Sequence, residues 1–207
     1  MSAGPAAAGS GDLAPEEALR ADLYGLIARL FAAPPDAPLL AAIAGSPADL
    51  GGAGTALGRA WAALQAAAAR ADAHEAAITH AELFVGTGRA RVSIYASHHL
   101  TDVGREHALV ALRDELGGLG LERQAGVTQP EDHLAALLEV MRHLALRGAD
   151  AGALEIQRRF FERYLGPWYG AFAGEVLAAT ADGFFCGAAR ILQAFLDLEK
   201  AGFALEN

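Results

Sequence analysis

Apolar residues recur every three or four positions along most of this chain, the spacing that places them on one face of a helix. Leu19, Leu23, Leu26, Ile27 and Leu30 form the first such stripe. Pro15-Glu16-Glu17 precede it; proline suits a first turn, and carboxylates there complement the helix dipole. Pro34-Pro35 end it, and a short apolar piece follows at 38–44. Further helical runs cover about 55–70, with Trp61 and Leu64 on one face, and about 72–85, which stops at Gly86-Thr87-Gly88. Residues 86–98 read as an ordered loop, and about 103–116 as another helix. The stretch 117–129 carries four glycines and reads as a hinge. Beyond it, helices are expected at about 130–147, 151–165, 167–181 and 182–201. No alternating strand pattern extends beyond a few residues. The expectation is an all-α fold, a single globular multi-helix bundle. Its parts are a disordered tail (1–14), an N-terminal helical half (15–116), the hinge, and a C-terminal half (130–207).

The helix expected at 130–147 has the clearest stripe: Leu134, Leu137, Leu138, Met141 and Leu144. Thr128 and Glu131 have capping-box spacing, and Pro130 fits the first turn. Asp132 and His133 are not required by that stripe. On a helical wheel Asp132 falls on the side of Glu139 and His143, away from the leucines, and His133 at the stripe's edge. An imidazolium at a helix N-terminus is disfavoured, so His133 is expected to be neutral. The plain reading is that Asp132 caps and His133 packs.

Composition narrows the function classes. Hydrophobic residues make up 53% of the 207, and the formal net charge is -9. An acidic surface repels phosphate backbones, so nucleic acid is not an expected partner. No apolar run reaches the ~18–20 residues of a membrane span. The single cysteine, Cys186, excludes an intrachain disulfide and suits a reducing cytoplasm. Seven histidines invite a metal-site reading, but paired Glu-x-x-His and His-Glu-x-x-His are both absent. GTGRAR (86–91) lacks the Gly-Lys-Ser/Thr of a phosphate loop, and Ser97 and Cys186 lack the local contexts of a nucleophile. No enzyme activity and no cofactor are expected.

Four motifs in order resemble the TorD/DmsD/NarJ-like redox-enzyme maturation chaperones. Glu82-Leu83-Phe84-Val85-Gly86-Thr87-Gly88 is similar to that family's Leu-Phe-x-Gly-x-Gly turn, and Tyr95-x-Ser97 to its Pro-Tyr-x-Ser segment. Pro130-Glu131-Asp132-His133-Leu134 resembles its Asp-His-Leu signature. Gln157-x-x-Phe160 with Leu165-x-x-Trp168 resembles its Gln-x-x-Phe…His-Leu-x-x-Trp pattern. The resemblance covers about residues 75–200. Ile94, Ala96, Leu137 and Tyr164 depart from it, standing where proline, glutamate, an acidic residue and histidine are expected.

The resemblance implies an all-helical cytoplasmic chaperone. It would bind the twin-arginine signal peptide, or a related N-terminal segment, of a molybdenum-cofactor oxidoreductase precursor until the cofactor is inserted. It also implies a monomer or a domain-swapped dimer. Arginines call for carboxylates and an apolar segment calls for a groove. Glu131, Asp132 and Glu139 are expected on or near one exposed strip, with His133 to orient a carboxylate or bond the peptide backbone; Phe84, Ile94 and Tyr95 are the expected apolar neighbours, and Pro130 and Ser97 belong to the same expected signal-peptide site. Replacing Asp132 and His133 by alanine is then expected to weaken peptide binding with melting nearly unchanged. The alternative is a helical adaptor for another protein partner.

Overall fold

The computed structural model describes residues 14–47, 50, 52, 54–86, 90–100, 105–122 and 129–205, without the side chains of 105–108. Among the described residues there are ten α-helices and no strand. They are α1 (Pro15–Ala32), α2 (Ala37–Ala44), α3 (Ala56–Arg70), α4 (Ala73–His80), α5 (Ala96–His99), α6 (Arg105–Gly118), α7 (Leu134–Ala145), α8 (Ala151–Tyr164), α9 (Tyr169–Ala179) and α10 (Phe184–Leu205). A π-helical turn, Ala81–Val85, continues α4. It ends at Gly86, whose φ of 63° a glycine adopts without strain.

Local chemistry sets most of these starts. The side chains of Asp36, Thr55, Asp72 and Asp150 each accept a first-turn amide of the helix they precede. The first helix begins at Pro15, as its sequence predicts. Residues 1–13, the bulk of the expected tail, lie outside the described residues, as do 123–128 of the expected hinge.

The segments before and after that stretch share one core. α1 buries Tyr24, Ile27, Leu30 and Phe31 and lies against α7, touching α10 as well. α10 lies on α3 and α9. Gly187 permits the first of these approaches, because a Cβ there would sit 3.0 Å from Leu64 Cα.

A polar clasp crosses the apolar core. Arg20 on α1 donates through Nε and Nη2 to the two oxygens of Glu199 on α10, at 2.9 and 2.7 Å. The Tyr24 hydroxyl donates to Glu199 at 2.7 Å, and Gln157 Oε1 accepts from Arg20 at 3.0 Å. Gln157 is fully buried, and its amide donates to the carbonyl of Gly148. The Gln-x-x-Phe motif therefore supplies a structural link between α1, α8 and α10.

Candidate functional site

α7 starts later than its sequence suggests. Its N-cap is His133, whose Nδ1 accepts the Ala135 amide at 3.1 Å. Pro130, Glu131 and Asp132 precede the helix in a turn closed by His133 N–H to Pro130 O. Glu131 therefore lies before the cap rather than in the first turn of the helix, and Thr128, the other member of the expected capping box, is outside the described residues.

The segment before α5 pairs with this turn. Tyr95 and His133 form an isolated antiparallel bridge. Leu134 N donates to Ile94 O at 3.0 Å, and Ala96 N to Asp132 O at 2.9 Å. The Asp132 carboxylate accepts the Ser97 amide at 3.0 Å. Asp132 therefore caps α5, a helix 35 residues away in the chain, rather than the one it precedes. The Tyr95 ring meets His133 edge-on at 5.4 Å.

This geometry corrects several expectations. Asp132 is only 4% exposed, so it does not belong to an exposed strip, and His133, at 3%, is buried beside it. Phe84 and Ile94 are buried as well, Phe84 packing on Phe31, His80, Phe172 and Phe185. Both nonetheless border a cleft of about 540 Å³ with Tyr95, Ser93, His98 and Glu175. Ser97 offers its amide to Asp132 and holds the junction together. Tyr95 stays half-buried.

His133 is neutral, as expected. Burial lowers its pKa to about 4; the nearby His80 adds to this, and Asp132 opposes it. Because Nδ1 accepts a hydrogen bond, the ring proton sits on Nε2. His80 is also lowered by burial, against a hydrogen bond to the Phe31 backbone, and its Nε2 has no hydrogen-bond partner among the described residues.

Immediately before the junction, the chain turns toward a different feature. Pro130, Glu131, Ala135, Ala136, Glu139, Val140 and His143 line a groove of about 640 Å³. Ala28, Arg29 and Ala32 of α1 form a second wall, and Leu116, Leu121 and Glu122, at and beyond the end of α6, a third. Its walls are mostly apolar, and Glu122, Glu131 and Glu139 supply three carboxylates. Glu131 accepts from Arg113 at 3.0 Å and Glu139 from Arg142 at 3.3 Å. Arg142 crosses α1 at Gly25, where a Cβ would come within 3.0 Å of its side chain.

Of the residues singled out from sequence, the structure brings Pro130, Glu131 and Glu139 together at this groove. Asp132, His133, Tyr95 and Ser97 are gathered at the junction beside it. The contributions of α1 and of Glu122 were missed. Ala28 and Ala32, small residues one turn apart, are the signal that could have marked an open face on α1. Glu139 and His143 read as a solvated i, i+4 pair, and both are groove residues.

Fold and site together define an all-helical protein with an acidic, apolar-walled groove. The chain matches the family model described as nitrate reductase delta subunit over residues 51–174, more than half its length. It belongs to this family, that of the TorD/NarJ-like chaperones. It is 33% identical over 141 residues to the chaperone protein TorD of the El Tor Inaba strain of Vibrio cholerae serotype O1, covering 63% of this chain and 64% of the relative. The TorD protein of a Classical Ogawa strain is 32% identical over the same coverage. The match thus spans just under two thirds of these relatives' length.

Among the described residues no helix is long and apolar enough to cross a membrane. Nor is any group of three or more His, Cys, Asp or Glu residues placed to hold a metal ion.

Proposed function

We propose that this protein is a redox-enzyme maturation chaperone, not an enzyme. It binds the twin-arginine signal peptide of a molybdenum-cofactor oxidoreductase precursor in the groove between α1, α6 and α7. The observation that carries this reading is the pairing of three carboxylates, Glu122, Glu131 and Glu139, with walls of Ala28, Ala32, Leu116, Leu121, Ala136 and Val140.

A twin-arginine segment has the complementary chemistry. Its guanidiniums take carboxylates through charge-assisted, bidentate hydrogen bonds, and its apolar stretch takes the small and branched side chains. The family membership and the name of the TorD relatives support a chaperone role. Holding a precursor until its cofactor is inserted places the work in the cytoplasm, before export.

Fluorescence anisotropy with a labelled synthetic peptide, two consecutive arginines followed by an apolar stretch, tests the reading. Wild type should bind it, and Glu131→Gln/Glu139→Gln should bind roughly tenfold or more weakly, since hydrogen bonds to charged groups contribute about 1.5–3 kcal/mol. Equal binding by both proteins would remove the groove from the mechanism. A pulldown from cells expressing molybdoenzymes identifies the precursor; capture of an unrelated protein in its place would favour the adaptor reading.

A further inference from the structure

Two carboxylates of the groove are each held by a guanidinium of this same chain, and the two guanidiniums are placed differently. Arg142 lies three residues from Glu139 on α7. Arg113 reaches Glu131 from another helix. Its side chain is 54% exposed, whereas that of Glu131 is 13% exposed. An ion pair with one member in water contributes little net stability, because the solvated partner loses little when it leaves. The carboxylate is a different matter: sheltered as it is, it requires a cation.

α6, which carries Arg113, is lightly anchored. Among its described side chains only Leu112 is buried. At its far turn, Glu115 accepts the Tyr164 hydroxyl at 2.8 Å and Arg163 at 3.2 Å. In the turn before α7, Glu131 pairs with Arg113 of this helix. The same helix provides Leu116 to the groove wall. The helix that carries Arg113 is thus itself a wall of the groove.

We propose that Arg113 is a built-in competitor for the groove's ligand. It neutralises Glu131 while no peptide is bound, and it yields that carboxylate to a guanidinium of the incoming peptide. The inference rests on the groove being the peptide site. Replacing one guanidinium by another on Glu131 gains little by itself. Net binding then has to come from a second arginine, at Glu139 or Glu122, and from the apolar segment. Arg113 in this way sets a threshold that a peptide with a single arginine does not pass. A lysine, as a strongly hydrated point charge, displaces a forked guanidinium poorly.

The test is a double-mutant cycle with the labelled twin-arginine peptide at low ionic strength, using wild type, Arg113→Gln, Glu131→Gln and the double variant. Arg113→Gln should bind roughly two- to fivefold tighter than wild type, the range set by exposed ion pairs. That gain should vanish in the Glu131→Gln background. Arg113→Lys, which keeps the charge and loses the fork, should fall between wild type and Arg113→Gln.

Unchanged or weaker binding by Arg113→Gln overturns the competitor role while leaving the peptide site standing. An equal gain in the Glu131→Gln background also overturns it, because the effect would then be the general removal of a positive charge. Failure of both wild type and Arg113→Gln to bind removes the peptide site and the competitor role together.

Discussion

Glu131 and Asp132 are consecutive acidic residues in one turn, and the structure assigns them to opposite tasks. Asp132 is buried, accepts the Ser97 amide and sits in a backbone bridge to Tyr95. Glu131 faces a groove and is held by an arginine from another helix. The junction is closed by buried bonds, whereas Glu131 and Glu139 at the groove pair with arginines whose side chains are about half exposed. This turn combines a structural clip with a groove wall, and the side of the turn decides which residue serves which.

The largest expected effect tests the junction. Asp132→Ala/His133→Ala removes the acceptor for Ser97 and the N-cap of α7. Cap losses of about 1 kcal/mol and a hydrogen bond to a carboxylate of about 1.5–3 kcal/mol set the scale. A loss of about 2.5–4 kcal/mol in denaturant unfolding is expected, opposite to the small change that an exposed pair would show. A melt within ~0.5 kcal/mol of wild type, the range of ordinary surface substitutions, would put these residues back on the surface.

Acid is the next probe. His133 titrates near 4 in the folded protein, below its ordinary value of 6.5. The unfolded chain therefore binds the proton more readily between those values. The stability that neutral His133 contributes is complete above pH ~6.5 and is lost as pH falls toward 4, a change of up to about 3 kcal/mol. His133→Asn keeps a capping side chain and removes the titration. Its urea midpoint should fall less steeply between pH 6.5 and 4 than that of wild type; parallel curves would place the pH dependence elsewhere.

The groove should respond the other way round. Glu131→Gln/Glu139→Gln should leave thermal unfolding within about 1 kcal/mol of wild type, since each ion pair has a solvent-exposed partner, and should show its effect in the binding assay instead. The smallest effect expected is that of Glu139→Gln alone on stability, under ~0.5 kcal/mol, because Glu139 and Arg142 are half and nearly half exposed. If Glu139→Gln destabilised the fold as strongly as the junction variant, the division between clip and groove would not hold.

The legibility of each feature in the sequence follows its range. The α7 stripe, the helix starts near residues 55 and 72, and the stop before Pro34 depend on neighbours within a turn or two, and the periodicity of the side chains carries them. The start of α7 was misplaced because Thr128, Pro130 and Glu131 have the chemistry of a helix N-terminus. The pairing of His133 with Tyr95, 38 residues earlier, takes the turn out of the helix. Burial of Phe84 depends on Phe31, Phe172 and Phe185 meeting it, contacts to which its local pattern is silent.

By itself the sequence determined an all-helical chain, the approximate bounds of its helices and the set of motifs that resemble one chaperone family. These rest on backbone hydrogen bonding and side-chain spacing that operate over three or four residues. Only the tertiary structure decided that Asp132 caps a distant helix, that Glu131 looks into a groove, and that α1 supplies one of its walls. Those outcomes depend on which helices pack together, and a groove between three helices has no counterpart in the periodicity of any one of them.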